Sequence, residues 1–100
     1  LAADLYQQLI NSDSADANVY NSLGLTLHYL GRSGEALQIL NKGAAMDPGY
    51  QRIWLTLGFV NAQAGNLEEA RSALTSAIDL GADNQIGQSA AEMLAQLPGS

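Results

Sequence analysis

A repeat of 34 residues constrains the fold of this chain more than any other feature of its sequence. The pattern aromatic-x-x-Leu-Gly begins at Tyr20 and begins again 34 residues later at Trp54. At this offset the identical pairs are Leu23/Leu57, Gly24/Gly58, Gly31/Gly65, Glu35/Glu69, Ala36/Ala70 and Leu40/Leu74. A unit this short cannot bury a hydrophobic core alone, so neighbouring units must stack. The repeat therefore predicts a short solenoid, which favours a binding surface over a reaction centre.

The positions of glycine and proline predict that the chain is all-α. Stretches rich in alanine and leucine lie between them, and no run of alternating β-branched residues indicates a strand. Gly31, Gly65 and Gly81 each follow an apolar residue, at the place where a helix ends on a residue with positive φ. Pro48 ends another helix because it has no amide hydrogen. The predicted helices cover residues 2–11, 17–30, 34–46, 51–64, 67–80 and 84–97.

Two glycines inside predicted helices indicate close helix approach. Glycine costs about 1 kcal/mol relative to alanine in a helix interior, which is tolerated where another helix must come near. We expect Gly24 and Gly58 to face the small side chains of Ala36 and Ala70 on the following helices. The aromatic residue four positions before each glycine then fills the wider end of the wedge.

Several polar residues are assigned to helix starts. Asn66 is expected to cap the next helix through its side-chain oxygen, with Glu69 reaching back to form a capping box. Glu35, Glu68 and Glu69 lie in first helical turns, where the helix dipole stabilises negative charge. Their positions therefore indicate a structural role instead of a pair of catalytic carboxylates.

This set of residues is similar to the signature of the tetratricopeptide repeat. The first unit carries Tyr20, Leu23, Gly24, Leu27, Gly31, Ala36, Leu40, Gly43 and Pro48, and the second carries Trp54, Leu57, Gly58, Gly65, Ala70, Leu74 and Ala77. The second unit departs from the signature at Asn61, where a large apolar residue is usual, and at Ala82, which replaces the closing proline. The resemblance implies a right-handed α-α superhelix in one domain, residues 1–100. Its parts are the second helix of a partial repeat (1–14), two full repeats (17–50 and 51–83) and a capping helix (84–97).

The resemblance also implies a concave groove along the first helix of each unit. One stripe of these helices is assigned to the core: Tyr20, Leu23, Leu27 and Leu30, matched by Trp54, Leu57 and Ala64. The face left over carries Asn18, Asn21, Leu25, His28 and Tyr29, and then Arg52, Leu55, Phe59, Ala62 and Gln63. We expect an apolar floor of Leu25, Tyr29, Leu55 and Phe59 and a polar rim of Asn21, His28, Arg52 and Gln63. The alternative interpretation is that these apolar side chains pack internally.

Composition and charge exclude several other functions. The net charge of -6, from 4 Lys+Arg against 10 Asp+Glu, repels nucleic acid and anionic membranes, and no apolar run is long enough to insert into a membrane. The chain has no cysteine and a single histidine, His28, without a partner for nucleophilic catalysis in the sequence. Asp13 and Asp16 share a loop that lacks the glycine and distal glutamate of a calcium site. We expect no enzyme activity, no metal and no cofactor.

The sequence therefore predicts a protein-protein interaction scaffold that binds a peptide or a partner helix in the groove. Its low lysine content resembles bacterial members of the family, some of which assist assembly of pili, secretion machines or envelope complexes. That resemblance implies a soluble protein of the bacterial cytoplasm or periplasm. The alternative is a structural or self-association module without a free ligand, which forms a homo-oligomer through exposed repeat ends. Because the first residue is Leu1, we expect a segment of a longer protein.

Overall fold

Five α-helices account for most of residues 16–99 in the computed structural model. They are α1 (Ala17–Tyr29), α2 (Ser33–Met46), α3 (Gln51–Gln63), α4 (Leu67–Leu80) and α5 (Gln85–Gln96). The structure describes residues 4, 7, 8 and 16–99; the first three are helical, and this part of the chain contains no strand. Each of the five helices begins and ends within one residue of its predicted bounds. The partial repeat predicted at 1–14 lies almost wholly outside the described residues.

The helices form antiparallel neighbours in chain order and lie in two layers. Each helix packs on the next one, and α3 also contacts α1 and α5. Thus α1, α3 and α5 form an inner layer. The outer layer consists of α2 and α4, and no Cα atoms of these two helices lie within 8 Å of each other. This separation leaves part of α3 uncovered on the outer side.

Three glycines were predicted to end helices with a positive φ, and two of them do so. Gly31 has φ 80 and Gly65 has φ 83, the left-handed conformation that glycine adopts without a steric penalty. The prediction for Gly81 is wrong, because its φ of 171 is extended backbone. The carbonyl of Gly81 instead accepts a hydrogen bond from Nε2 of Gln51 at 2.8 Å, which ties the end of α4 to the start of α3.

The helix caps differ from the sequence prediction. Asp16 is not among the predicted caps, but its Oδ1 accepts a hydrogen bond from the Val19 amide at 3.1 Å and caps α1. Asn66 precedes α4 but makes no side-chain cap. Its amide Nδ2 donates to Oδ1 of Asn61 at 3.2 Å, and its backbone N–H donates to the Asn61 carbonyl at 2.8 Å. The N–H that Glu69 was expected to reach is therefore already used, and the predicted capping box does not form.

Removing the Asp16 acceptor is expected to weaken α1. Asp16→Ala should lower the free energy of unfolding by about 1 kcal/mol, the usual cost of losing an N-cap side chain. Asp16→Asn keeps an acceptor oxygen at the same place and serves as the control. Urea denaturation measures both variants, and an alanine variant as stable as the wild type would mean that the bond contributes nothing.

The mid-helix glycines permit close packing, but their partner is not the predicted alanine. A Cβ atom on Gly58 would overlap the Cδ2 atom of Leu74, while the Ala70 carbonyl oxygen would lie at an ordinary 3.6 Å. Gly24 has the same relation to Leu40. The leucine one turn beyond each alanine thus occupies the space that glycine leaves open.

Two adjoining clusters of buried side chains form the core. The first contains Tyr20, Leu23, Leu27, Ala36, Leu40, Ala44, Ile53, Leu57, Val60 and Ala73, and the second contains Ala70, Leu74, Ala77, Ala90 and Leu97. Trp54 packs against both clusters, and its Nε1 donates to the Pro48 carbonyl at 2.8 Å. Leu30, which was assigned to the core stripe, is 60% exposed because α1 ends at the preceding residue.

Candidate binding groove

The inner layer of helices presents one continuous set of side chains, which we call the inner face. Its members on α1 and α3 are Asn18, Leu25, His28, Tyr29, Arg52, Leu55, Phe59, Ala62 and Gln63, and its members on α5 are Ile86, Ser89, Met93 and Gln96. Leu25, Leu55 and Phe59 are half-buried, whereas Asn18, Arg52 and Gln63 are exposed. The face thus combines half-buried apolar side chains with exposed polar ones.

Aromatic contacts join the two repeats on the inner face. The His28 ring meets the Phe59 ring edge-to-face, with 5.3 Å between centroids, and it lies 5.5 Å from the Tyr29 ring. Nδ1 of His28 is 2.9 Å from the hydroxyl oxygen of Ser33, which fixes the ring orientation. Tyr29 itself is 71% exposed. The contact therefore leaves a large aromatic ring available at the edge of the face.

Two of the asparagines differ in their surroundings. Oδ1 of Asn18 accepts a hydrogen bond from the Tyr50 hydroxyl at 3.0 Å, which connects α1 to the residue before α3. Asn21 was predicted at the polar rim, but its side chain is only 6% exposed, so that position is wrong. Its Oδ1 has no hydrogen-bond partner among the described residues. Asn21 lies beneath the surface because the buried and groove-facing stripes of α1 adjoin at this position.

Two cavities open on the inner face between α3 and α5. The larger, of about 640 Å³, is lined by Phe59, Ala62, Gln63, Gly65, Leu67, Met93, Gln96, Leu97 and Pro98. The smaller, of about 170 Å³, is lined by Arg52, Leu55, Gln85, Ile86 and Ser89. Four of the predicted groove residues, Arg52, Leu55, Phe59 and Gln63, therefore line cavities, and α5 supplies the opposite wall of each.

The α5 residues of the inner face were not predicted as groove residues, although the sequence contains the signal for them. Applying the 34-residue offset once more to Arg52, Leu55, Phe59 and Ala62 gives Ile86, Ser89, Met93 and Gln96. The prediction for residues 84–97 is limited to a capping helix and does not include these positions. The structure places all four beside the cavities, as the wall facing α3.

The inner face is nearly free of charge. Arg52 is its one ionised side chain, and none of its members is acidic. Elsewhere, a hydrogen bond from Arg32 lowers the pKa of Glu35, but both side chains are exposed to solvent, so the pair adds little stability. No cluster of potential metal ligands occurs among the described residues. The arrangement suits apolar and hydrogen-bonding contacts more than acid-base chemistry.

Comparison with protein-family models gives two matches. One tetratricopeptide-repeat model matches residues 27–97, and a second matches residues 5–38. The chain belongs to the tetratricopeptide repeat family. Its helices form the α-α superhelix of that family, which generally mediates protein-protein interaction and is typically a non-catalytic scaffold. No curated protein and no solved structure matches the chain. None of the described helices combines the length and apolar character needed to cross a membrane.

Proposed function

We propose that this tetratricopeptide repeat protein is a scaffold that holds a peptide or a partner helix on its inner face. The observation that carries the proposal is the cavity of about 640 Å³ between Phe59 and Met93. Its apolar walls include the half-buried side chains of Phe59, Ala62, Leu67 and Met93, which remain partly accessible. An apolar strip with polar groups beside it is what a docking helix or extended peptide requires.

Each part of the inner face has a distinct role in this binding mode. The cavity receives a large apolar side chain of the partner, because the flexible thioether of Met93 adapts to its shape. Gln63 and Gln96 flank the cavity and supply hydrogen bonds that orient the partner backbone. Tyr29 adds an aromatic contact of the kind that dominates binding energy at protein interfaces. Arg52, at the other cavity, donates to an acceptor on the partner.

The proposal extends to a setting suggested by the sequence. The resemblance to bacterial family members connects the scaffold with assembly of a pilus, a secretion machine or an envelope complex. The net charge of -6 favours a protein or peptide partner over nucleic acid. Self-association through repeat ends is the competing function. The two functions are distinguished by whether the inner face binds a peptide or a partner helix.

Truncation of Tyr29 is expected to weaken partner binding without unfolding the protein. Tyr29→Ala should reduce affinity by at least about five-fold, because an interface aromatic of this kind contributes upwards of about 1 kcal/mol. The matched control is Met46→Ala, which removes another exposed apolar side chain, 52% accessible, that lies off the inner face. Phe59→Ala should also lose binding, but it costs some stability because the ring packs against the first core cluster.

The measurement begins with peptides selected by wild-type protein from a displayed random library. Fluorescence anisotropy then compares their affinities for the three variants, and amide chemical shifts map the contact surface. Peptides that bind Tyr29→Ala and Phe59→Ala as tightly as wild type, or that map to α2 and α4, would refute the groove. A mass that rises with concentration in sedimentation, together with failure to select any peptide, would establish the self-association function instead.

A further inference from the structure

A third cavity lies on the outer side of the molecule, away from the inner face. It has a volume of about 210 Å³. Its lining residues are Asn41 of α2, Trp54, Leu57 and Asn61 of α3, and Glu69, Ser72 and Ala73 of α4. Because α2 and α4 stay apart, α3 forms the floor between them. The cavity is therefore a consequence of how the two repeats are spaced.

Changes between the repeats contribute to the size of this cavity. Three of its lining positions carry a smaller side chain in the second repeat than in the first. The pairs at the 34-residue offset are Leu27/Asn61, Gln38/Ser72 and Ile39/Ala73. Leu27 is a buried member of the first core cluster, whereas Asn61 brings an amide to the corresponding place. The second repeat thus has a polar side chain beside the cavity, at a position where the repeat signature usually has a large apolar residue.

Because the predicted capping box does not form, the Glu69 carboxylate is available at this cavity. Glu69 would have bonded to the backbone N–H of Asn66, but that N–H donates to the Asn61 carbonyl. No hydrogen bond or ion pair engages the Glu69 carboxylate among the described residues. It is also the single ionised group in the lining. Because its single charge is negative and the Glu69 side chain is exposed, the cavity favours a cationic ligand that enters from solvent.

We propose that the outer cavity binds an arginine side chain of a partner protein. The guanidinium would pair with the Glu69 carboxylate and donate to the amide oxygen of Asn41, while its plane lies against the Trp54 indole. The Trp54 ring is held in place by its hydrogen bond to the Pro48 carbonyl. Arginine fits better than lysine because a planar fork can stack on the indole and bond to two acceptors at once. The net charge of -6 also attracts basic segments to the protein as a whole.

This site is independent of the proposed groove function, since the outer cavity and the inner face share no residue. A partner could therefore occupy both surfaces, or the two surfaces could bind different partners. The experiments on Tyr29 and Phe59 do not bear on Glu69 or Asn61, so failure of one proposal leaves the other standing.

Tryptophan fluorescence tests the proposal directly, because Trp54 is the one tryptophan in the chain. The probe is N-acetyl-arginine amide, titrated at constant ionic strength. N-acetyl-citrulline amide, which has nearly the same shape without the charge, is the control ligand, and N-acetyl-lysine amide tests the preference for guanidinium. We expect a saturable change in Trp54 emission with the arginine probe, weaker binding of the lysine probe and no saturable change with citrulline.

Variants connect the signal to the cavity. Glu69→Gln should weaken binding of the arginine probe by roughly three- to ten-fold, since a charged hydrogen bond becomes a neutral one. Glu68→Gln removes the same charge from the adjacent residue, which does not line the cavity, and should bind like wild type. Asn61→Leu should abolish binding by filling the space. Circular dichroism reports whether Asn61→Leu folds. If it does not, Ser72→Gln fills the cavity from an exposed position instead.

Four results would each overturn the proposal. The first is that citrulline or lysine probes bind as tightly as the arginine probe. The second is unchanged affinity in Glu69→Gln, and the third is retention of binding in the folded variant whose cavity is filled. Loss of binding in Glu68→Gln equal to that in Glu69→Gln would also contradict it, because it would indicate general charge attraction to α4.

Discussion

Gly58→Leu is expected to destabilise the fold by about 3 kcal/mol or more, through overpacking between α3 and α4. A Cβ atom alone would overlap Cδ2 of Leu74 and would lie 2.6 Å from its Cγ. Leu74 is fully buried, so its side chain cannot move into solvent. The two helices must therefore separate, which opens both core clusters. Chemical denaturation followed by circular dichroism measures the loss.

A second leucine substitution controls for the change of residue type. Gly34→Leu also places leucine at a helical glycine, but a Cβ atom on Gly34 would meet nothing within 4 Å. This variant should be as stable as wild type or slightly more stable, since leucine favours the helix over glycine. If Gly58→Leu melted at the wild-type temperature, the close approach of α3 and α4 at this point would be wrong.

Gly87→Ala is expected to detach α5 at a cost of about 2–3 kcal/mol. Gly87 lies in the first turn of α5, directly against the chain that leaves α4. An added Cβ would overlap the Gly81 carbonyl oxygen and would lie 2.9 Å from Cα of Ala82. Gly58 meets the side chain of Leu74, whereas Gly87 meets backbone atoms. No rotamer change can therefore relieve the overlap at Gly87. Even one methyl group should displace the helix.

Hydrogen exchange of the backbone amides tests this displacement. In Gly87→Ala, amides within α5 should lose protection while those in the first two helices keep it. Gly34→Ala is the matched control, because it makes the same substitution in the first turn of α2 where the space is open. Full protection of α5 in the Gly87 variant would show that the contact can relax without cost. Loss of α5 would also remove one wall of both inner cavities.

Local sequence signals predicted the helices with good accuracy. Proline and left-handed glycines stop a helix through their own backbone preferences, so Pro48, Gly31 and Gly65 define helix ends without reference to distant residues. The repeat offset also predicts which side chains share the inner face, because equal spacing in the chain becomes equal position on stacked units. The same offset leads to Met93, whose place opposite Phe59 could have been predicted.

Predictions that depended on a specific contact partner were less successful. Asn66 has the residue type and position of a cap. Its side-chain amide and its backbone N–H, however, both donate hydrogen bonds to oxygen atoms of Asn61. Asn21 has the spacing of a rim residue but lies beneath the surface. Both outcomes depend on distances that are set by how whole helices are placed. A single sequence does not contain those distances.

The sequence by itself determined the helices, the stacking of two repeats and the family to which the chain belongs. These properties follow from the conformational limits of individual residues and from a fixed period, both of which are written along the chain. Only the tertiary structure decided that Leu74 and not Ala70 fills the space beside Gly58, that Asn21 lies beneath the surface, and that Glu69 does not form a capping box. These outcomes depend on the distances and angles between helices, which the packing of all the core side chains together sets.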